Sequence, residues 1–220
     1  MTPDPASPAA PAGSAARRRL LVATRSEHKL RELRDLLHLP NSDLLSLTDL
    51  GVPDEVVETG RTFAANARIK ARAYARLSGL PTLADDSGLE VEALGGGPGV
   101  RTKRYAGEHA TDADNNARLL TALDGLPPEA RRARYVCVLA FADPTAAGEE
   151  ILTARGTTRG RIATRPRGSN GFGYDPIFEP AAQPPGGQTL GEWSVAAKNR
   201  ISHRARAARR IAATLRPRGY

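Results

Sequence analysis

Three observations predict a single α/β domain. The 220 residues, 40% of them hydrophobic, suffice to bury a full core in one body. A short apolar run, Leu20-Leu21-Val22-Ala23, passes through Thr24-Arg25-Ser26 into a pattern carrying Leu30, Leu33 and Leu37 on one side, which reads as strand, turn and helix. Two longer runs, Arg134 to Asp143 and Glu150 to Thr158, are joined by the polar turn Pro144 to Gly148 and read as an antiparallel hairpin. Residues 1–18, rich in Ala, Pro, Ser and Gly before Arg17 and Arg18, read as a disordered tail, leaving 19–220 for the domain.

Composition narrows the function classes. A formal net charge of +8 attracts polyanions, nucleic acid and small polyphosphates alike. The single cysteine, Cys137, lies in the apolar run Tyr135 to Phe141, so no intrachain disulfide forms and the thiol reads as buried and structural, in keeping with a reducing cytoplasm. No apolar run approaches the roughly 18 residues that span a bilayer, and the start of the chain lacks the apolar core of a secretory signal, so no membrane partner is expected.

The first strand-turn-helix unit has the geometry of an anion site. Backbone N–H groups and the positive end of the helix dipole meet at Thr24 to Ser26, and Lys29 adds a point charge in the first turn. The glycines of a Walker loop are absent, and a solvated surface lysine fits the same letters. After the apolar segment Leu44 to Leu50, Thr62 is placed to cap a helix running to about Leu77. Its stripe, Phe63, Ala67, Lys70, Tyr74 and Leu77, puts a lysine on the apolar face with Asn66 one turn earlier. Such a lysine needs an anionic partner or snorkels to water.

Gly79-Leu80-Pro81 ends that helix, and Thr82-Leu83-Ala84 leads as a strand into Asp85-Asp86-Ser87-Gly88. Paired carboxylates at a strand end can hold Mg²⁺ or orient an attacking water, and Glu58 is a candidate companion. An Asp-rich turn explains the same tetrad. A helix from Thr111 to Leu123 follows, with Thr111 and Asp114 as a capping pair, Leu119, Leu120 and Leu123 inward, and Gly125 as its stop.

Beyond the hairpin, which Arg159 to Ile162 extend, glycines flank Phe172 in Gly168 to Asp175, where Phe172, Tyr174 and Asp175 offer two rings and an acceptor to a nucleobase. A glycine loop turning into a strand at Pro176 to Phe178 is the plainer reading. Lys198 to Ala205 open an arginine-rich helix with the stripe Ile201, Ala205, Ala208, Ala212 and Leu215. Ser202 is placed to cap it, His203 and Arg204 to donate hydrogen bonds to a base, and Lys198 to meet phosphate; Arg206, Arg209, Arg210 and Arg216 read as a solvated face.

Together these stretches resemble the inosine triphosphate pyrophosphatase family, the Ham1/RdgB-like enzymes. The resemblance rests on Ala23-Thr24 with Lys29, Glu58-Thr59-Gly60 with Thr62-Phe63, Asn66-Ala67 with Lys70-Ala71, Ala84 to Leu89, Pro98-Gly99, Arg104-Tyr105, Gly168 to Asp175, and Lys198-Asn199 with Ser202-His203-Arg204. It spans nearly the whole chain from Leu20. It implies a long twisted mixed β-sheet flanked by helices, two lobes with a central cleft, and a homodimer. The implied reaction is Mg²⁺-dependent hydrolysis of dITP, ITP, XTP and dXTP to the monophosphate and pyrophosphate, which cleanses the nucleotide pool.

Residue by residue, the resemblance places the run Thr24, Arg25, Ser26, Glu27, His28 and Lys29 against the triphosphate, with Asn66 and Lys70 adding contacts. Glu58 and Asp86 would hold Mg²⁺, Asp86 would be the catalytic acid/base, and Ser87 would touch substrate. Phe172, Gly173, Tyr174 and Asp175 fall on the nucleoside loop, Lys198 on phosphate, and His203 with Arg204 on the base. The chain departs from the family at Arg25 and Ser26, where glycine and asparagine are common, at Ala65, often glutamate, and at Ala196-Ala197, often acidic. Alternatives are a Maf-like pyrophosphatase for other modified nucleotides and a basic nucleic-acid-binding protein, whose binding would be strongly salt-dependent and without turnover.

Overall fold

The computed structural model describes residues 17–52, 55–146 and 150–220. The expected tail up to residue 16 and the part of the hairpin turn at 147–148 lie outside them.

Six strands form one mixed sheet: β1 (Arg18–Ala23), β2 (Ser42–Ser46), β3 (Thr82–Val91), β4 (Arg132–Ala142), β5 (Ile151–Ile162) and β6 (Phe178–Pro180), ordered β2-β1-β3-β4-β5-β6. The pairs β1–β2 and β1–β3 are parallel, and β3–β4, β4–β5 and β5–β6 are antiparallel. The predicted α/β class and hairpin are therefore observed. Strand β1 starts at Arg18, so the ordered chain reaches one residue into the expected tail.

Period two along the strands divides the core. Leu20, Val22, Leu83, Leu139 and Phe141 face one way and pack on α1 (Glu27–Leu36) and α5 (His203–Leu215). Leu21, Ala23, Ala84, Val138 and Ala140 face the other way and pack on α2 (Phe63–Ser78). A third cluster, with Leu89, Val91, Leu119 and Phe178, joins the far ends of β3 and β4 to α3 (Asp112–Ala122) and β6. The cleft opens between this lobe and the first two clusters.

Local chemistry explains the helix ends. Ser26 and Thr62 cap α1 and α2, and Gly79 closes α2 in the left-handed conformation with φ 66°. Thr111 and Asp114 form the expected capping box on α3. Ser202 caps α5, but the final segment is two helices, because α4 (Val195–Ile201) ends where Ser202 turns extended; Ile201 thus belongs to α4. At Gly156 a Cβ would come 2.0 Å from the His203 carbonyl, so the missing side chain lets the start of α5 lie directly on β5.

Four further expectations are corrected. The tetrad Asp85 to Gly88 is neither a turn nor a strand end, since β3 runs through it in unbroken register with Val136 to Leu139. Leu77 is 55% exposed, its place in the core taken by Ala71 and Ala75. Asp175–Ile177 is a single 3-10 turn and β6 begins only at Phe178. Leu120 is only partly buried beside Leu119 and Leu123. No helix among the described residues is long and apolar enough to cross a membrane.

Candidate active site

A cavity of about 420 Å³ lies over the middle of β3, between the loop after β1, the start of α1, α2, the glycine loop at Phe172 and the start of α5. Strand alternation gives its two aspartates opposite surroundings.

Asp85 points toward α1 and α5 and is buried. Lys29 Nζ donates to its Oδ1 at 2.5 Å and Ser87 Oγ at 3.0 Å, while Arg204 Nε and Cys137 Sγ donate to Oδ2 at 3.2 and 3.1 Å. Burial alone would raise this carboxyl, but the Lys29 and Arg204 charges outweigh it and hold it well below the usual range. Arg204 also donates through Nη1 to Glu32 and through Nη2 to Ser87 Oγ at 2.9 Å. Lys198 Nζ bridges Glu32 at 2.9 Å and Asp175 at 2.6 Å. This face is a closed network of buried charges, each with a counter-charge.

Asp86 points toward α2. Its Oδ1 lies 3.4 Å from Lys70 Nζ, which is also 3.1 Å from Glu58 Oε1; its buried Oδ2 has no hydrogen-bond partner. Burial raises the carboxyl most; Lys70 and Lys29 pull it down, Glu58 and Asp85 push it up, and it stands at about 6. The lysine within the apolar stripe thus has anionic partners, and burial loses to the fields of Asp86 and Glu58, which raise Lys70 above the ordinary range.

At the other end, Phe172 lies with its ring centroid 4.7 Å from Lys198 Nζ and 5.7 Å from the Arg204 guanidinium carbon. His203 is buried and stacks on Tyr135 at 4.6 Å and 7°. Burial first, then Arg204 and Lys198, hold its imidazole well below the usual range, so it is neutral, and its Nδ1 has no hydrogen-bond partner.

The profile of the Ham1 family matches residues 20–214. A dITP/XTP pyrophosphatase of Bacillus licheniformis is 44% identical over 196 residues, 89% of this chain and 97% of that protein. The chain belongs to the Ham1 family. A dITP/XTP pyrophosphatase of Syntrophobacter fumaroxidans is 50% identical over 86% of this chain and 78% of its own. Among solved structures, a HAM1 protein from Coxiella burnetii superposes with a TM-score of 0.80 at 40% identity, over 91% of this chain and 99% of that one. The long mixed sheet and cleft are thus those of the family.

In this Ham1 chain the cavity wall collects most of the expected positions: Thr24 to Lys29, Glu58, Lys70, Ser87, Phe172 to Asp175, Lys198, His203 and Arg204. Asn66 and Asp86 are off the wall. Asn66 Oδ1 instead accepts from Gly60 N at 2.8 Å and anchors the loop bearing Glu58. Tyr174 lines the wall, yet its hydroxyl donates to the Thr102 carbonyl at 2.8 Å and its ring belongs to the third core cluster.

Sequence reasoning missed Glu32, Asp112 and Asn116. Glu32 stands one turn after Lys29 beside buried Leu33, which was the available signal. Asp112 Oδ2 accepts from Gly173 N at 2.6 Å, and Asn116 Nδ2 donates to Gly173 O at 3.1 Å, so α3 holds both backbone polar groups of the aromatic loop.

The carboxylates also bear on a cation. Among the described residues no three His, Cys, Asp or Glu side chains gather as a metal site. Two hard oxygen donors, Glu58 and Asp86, flank the Lys70 ammonium, and one Asp86 oxygen is unclaimed. That set fits a hard divalent ion taking one or two carboxylates and completing its shell with water and phosphate.

Proposed function

We propose that the chain hydrolyses non-standard purine nucleoside triphosphates, ITP, dITP, XTP and dXTP, to the monophosphate and pyrophosphate. The observation that carries this reading is Asp86: a carboxyl at about 6 with a buried, unpartnered oxygen, beside Lys70 and Glu58. Relatives carrying the name dITP/XTP pyrophosphatase support it.

Above pH 6 the Asp86 carboxylate is ionised and can take the proton of a water. The water oxygen forms a bond to the α-phosphorus as the bond to the bridging oxygen breaks, and that oxygen leaves with pyrophosphate. Glu58 and Asp86 would hold Mg²⁺, which would supply charge neutralisation at the phosphates. Lys29, Glu58 and Lys70 line the cavity, with Asp86 3.4 Å from Lys70 Nζ; the lysines add positive charge there, and Ser26 with the start of α1 offers backbone N–H groups.

Base selection falls to the opposite end. Arg204 uses Nε and one N–H each of Nη1 and Nη2 within the protein, so two of its five N–H groups are left for a 6-keto oxygen, and His203 adds one donor. Adenine's 6-amino group would leave these donors unpaired in a buried site, a substantial penalty. The test is pyrophosphate release from ITP, XTP, dITP, GTP and ATP with and without Mg²⁺. Metal-dependent turnover of the first three is expected, and equal rates on ATP would sink the reading.

A further inference from the structure

The break between α4 and α5 sits on the β4–β5 pair, and three positions of that pair shape it. Tyr135 stands directly opposite Thr158, and Cys137 opposite Gly156 two residues along, so all four share one face of the sheet. The Tyr135 ring carries the His203 imidazole, with centroids 4.6 Å apart. Gly156 clears the space for the His203 carbonyl, with which a Cβ would collide. Thr158, which is buried, donates from Oγ1 to the Ile201 carbonyl at 2.8 Å. Ile201 is the last residue of α4, so its carbonyl has no partner in its own helix and the hydroxyl from β5 satisfies it.

The two donors aimed at the base are not held alike. Arg204 has its guanidinium fixed by Asp85, Glu32 and Ser87. His203 has only its stack on Tyr135, which leaves the ring free to slide in its own plane, and its Nδ1 has no hydrogen-bond partner among the described residues. Its ring therefore stands where its backbone puts it, and that backbone begins two residues after the carbonyl that Thr158 holds. We propose that Thr158 is a positioning residue for base selection: its hydroxyl pins the end of α4 and so sets where the His203 ring meets the base. The inference rests on the reading of His203 as a donor to the 6-keto oxygen. A displaced ring misaligns that donor and costs ITP a hydrogen bond that ATP does not make.

The ratio of kcat/KM for ITP to that for ATP tests this on the full chain with Thr158→Val, which keeps the shape and removes the hydroxyl, Thr158→Ser, which keeps the hydroxyl, and His203→Ala, each assayed below its melting temperature. Thr158→Val is expected to lower the ratio about fivefold or more, Thr158→Ser to restore it, and Thr158→Val to change nothing further when added to His203→Ala. Where Thr158→Val does not fold, Thr158→Ala also removes the hydroxyl and is read the same way. A hydroxyl with a purely structural role would lower the melting temperature and slow both nucleotides together with the ratio unmoved. That outcome, while His203→Ala does lower the ratio, overturns the role of Thr158 alone, as does a full further loss on top of His203→Ala. If His203→Ala itself leaves the ratio unchanged, the base-reading assignment of His203 falls and the role of Thr158 falls with it.

Discussion

Asp85 and Asp86 are consecutive residues of one strand with opposite fates. Asp85 meets four donors, two of them cationic, and its charge is part of the fold. Asp86 is nearly as buried, but it has one lysine that it shares with Glu58, and a bare oxygen. Burial works against both charges; the number and closeness of cations decides that one is held far down and the other is left at about 6. A compensated carboxylate is inert structure, whereas an under-compensated one can exchange a proton at working pH.

Asp86→Asn is the sharpest way to break this contrast. It should lower kcat for ITP about 10²–10⁴-fold while leaving the fold intact, because the group that takes the proton is gone. Without metal, the wild-type Asp86 carboxyl should titrate at about 6, read by NMR in EDTA. Titration in the ordinary carboxylate range, or turnover by Asp86→Asn near the wild-type rate, removes the assignment.

Stability should respond to the pair with opposite signs. Asp85 has its folded pKa below the unfolded one, so its contribution is present above the unfolded value and lost as pH falls through the folded value. Asp85→Asn at pH 8 leaves Lys29 and Arg204 short of a buried counter-charge and should cost about 3–5 kcal/mol. Asp86 has its folded pKa raised to about 6, so its contribution is present below the unfolded value and lost as pH rises through 6. Asp86→Asn should therefore stabilise the chain at pH 8 by about 1–3 kcal/mol, with the gain vanishing near pH 4. Urea denaturation in EDTA at both pH values reads both effects; two changes of the same sign would mean the faces are not electrically distinct.

The contrast also marks what a sequence can disclose. Thr62, Gly79 and the Thr111–Asp114 box act within a few residues of themselves, so the helix boundaries were legible. Whether Asp-Asp-Ser-Gly turns or runs on as strand depends on pairing with Cys137 to Leu139 some fifty residues away, and local preference pointed to a turn. The resemblance singles out Asp86 over Asp85, and strand alternation gives the two aspartates different surroundings. Asp112 was illegible for a related cause, since its partner Gly173 is distant in sequence, and the local signal for Glu32 could not name its partners Lys198 and Arg204, which are as distant.

The smallest effect separates the base end of the cavity from the phosphate end. Gly173 has φ 63°, suited to glycine, and its N–H and carbonyl are both held by α3 through Asp112 and Asn116. The adjoining Phe172 is therefore steadied through Gly173 by α3. Asp112→Ala frees the Gly173 N–H and loosens that hold. Because Asp112 is exposed, the lost bond is worth about 1 kcal/mol, or roughly a fivefold rise in KM for ITP with kcat little changed. Steady-state kinetics on ITP distinguishes the ends. A loss carried by kcat alone would mean that the aromatic loop also orients the phosphates, and that the two ends of the cavity work as one.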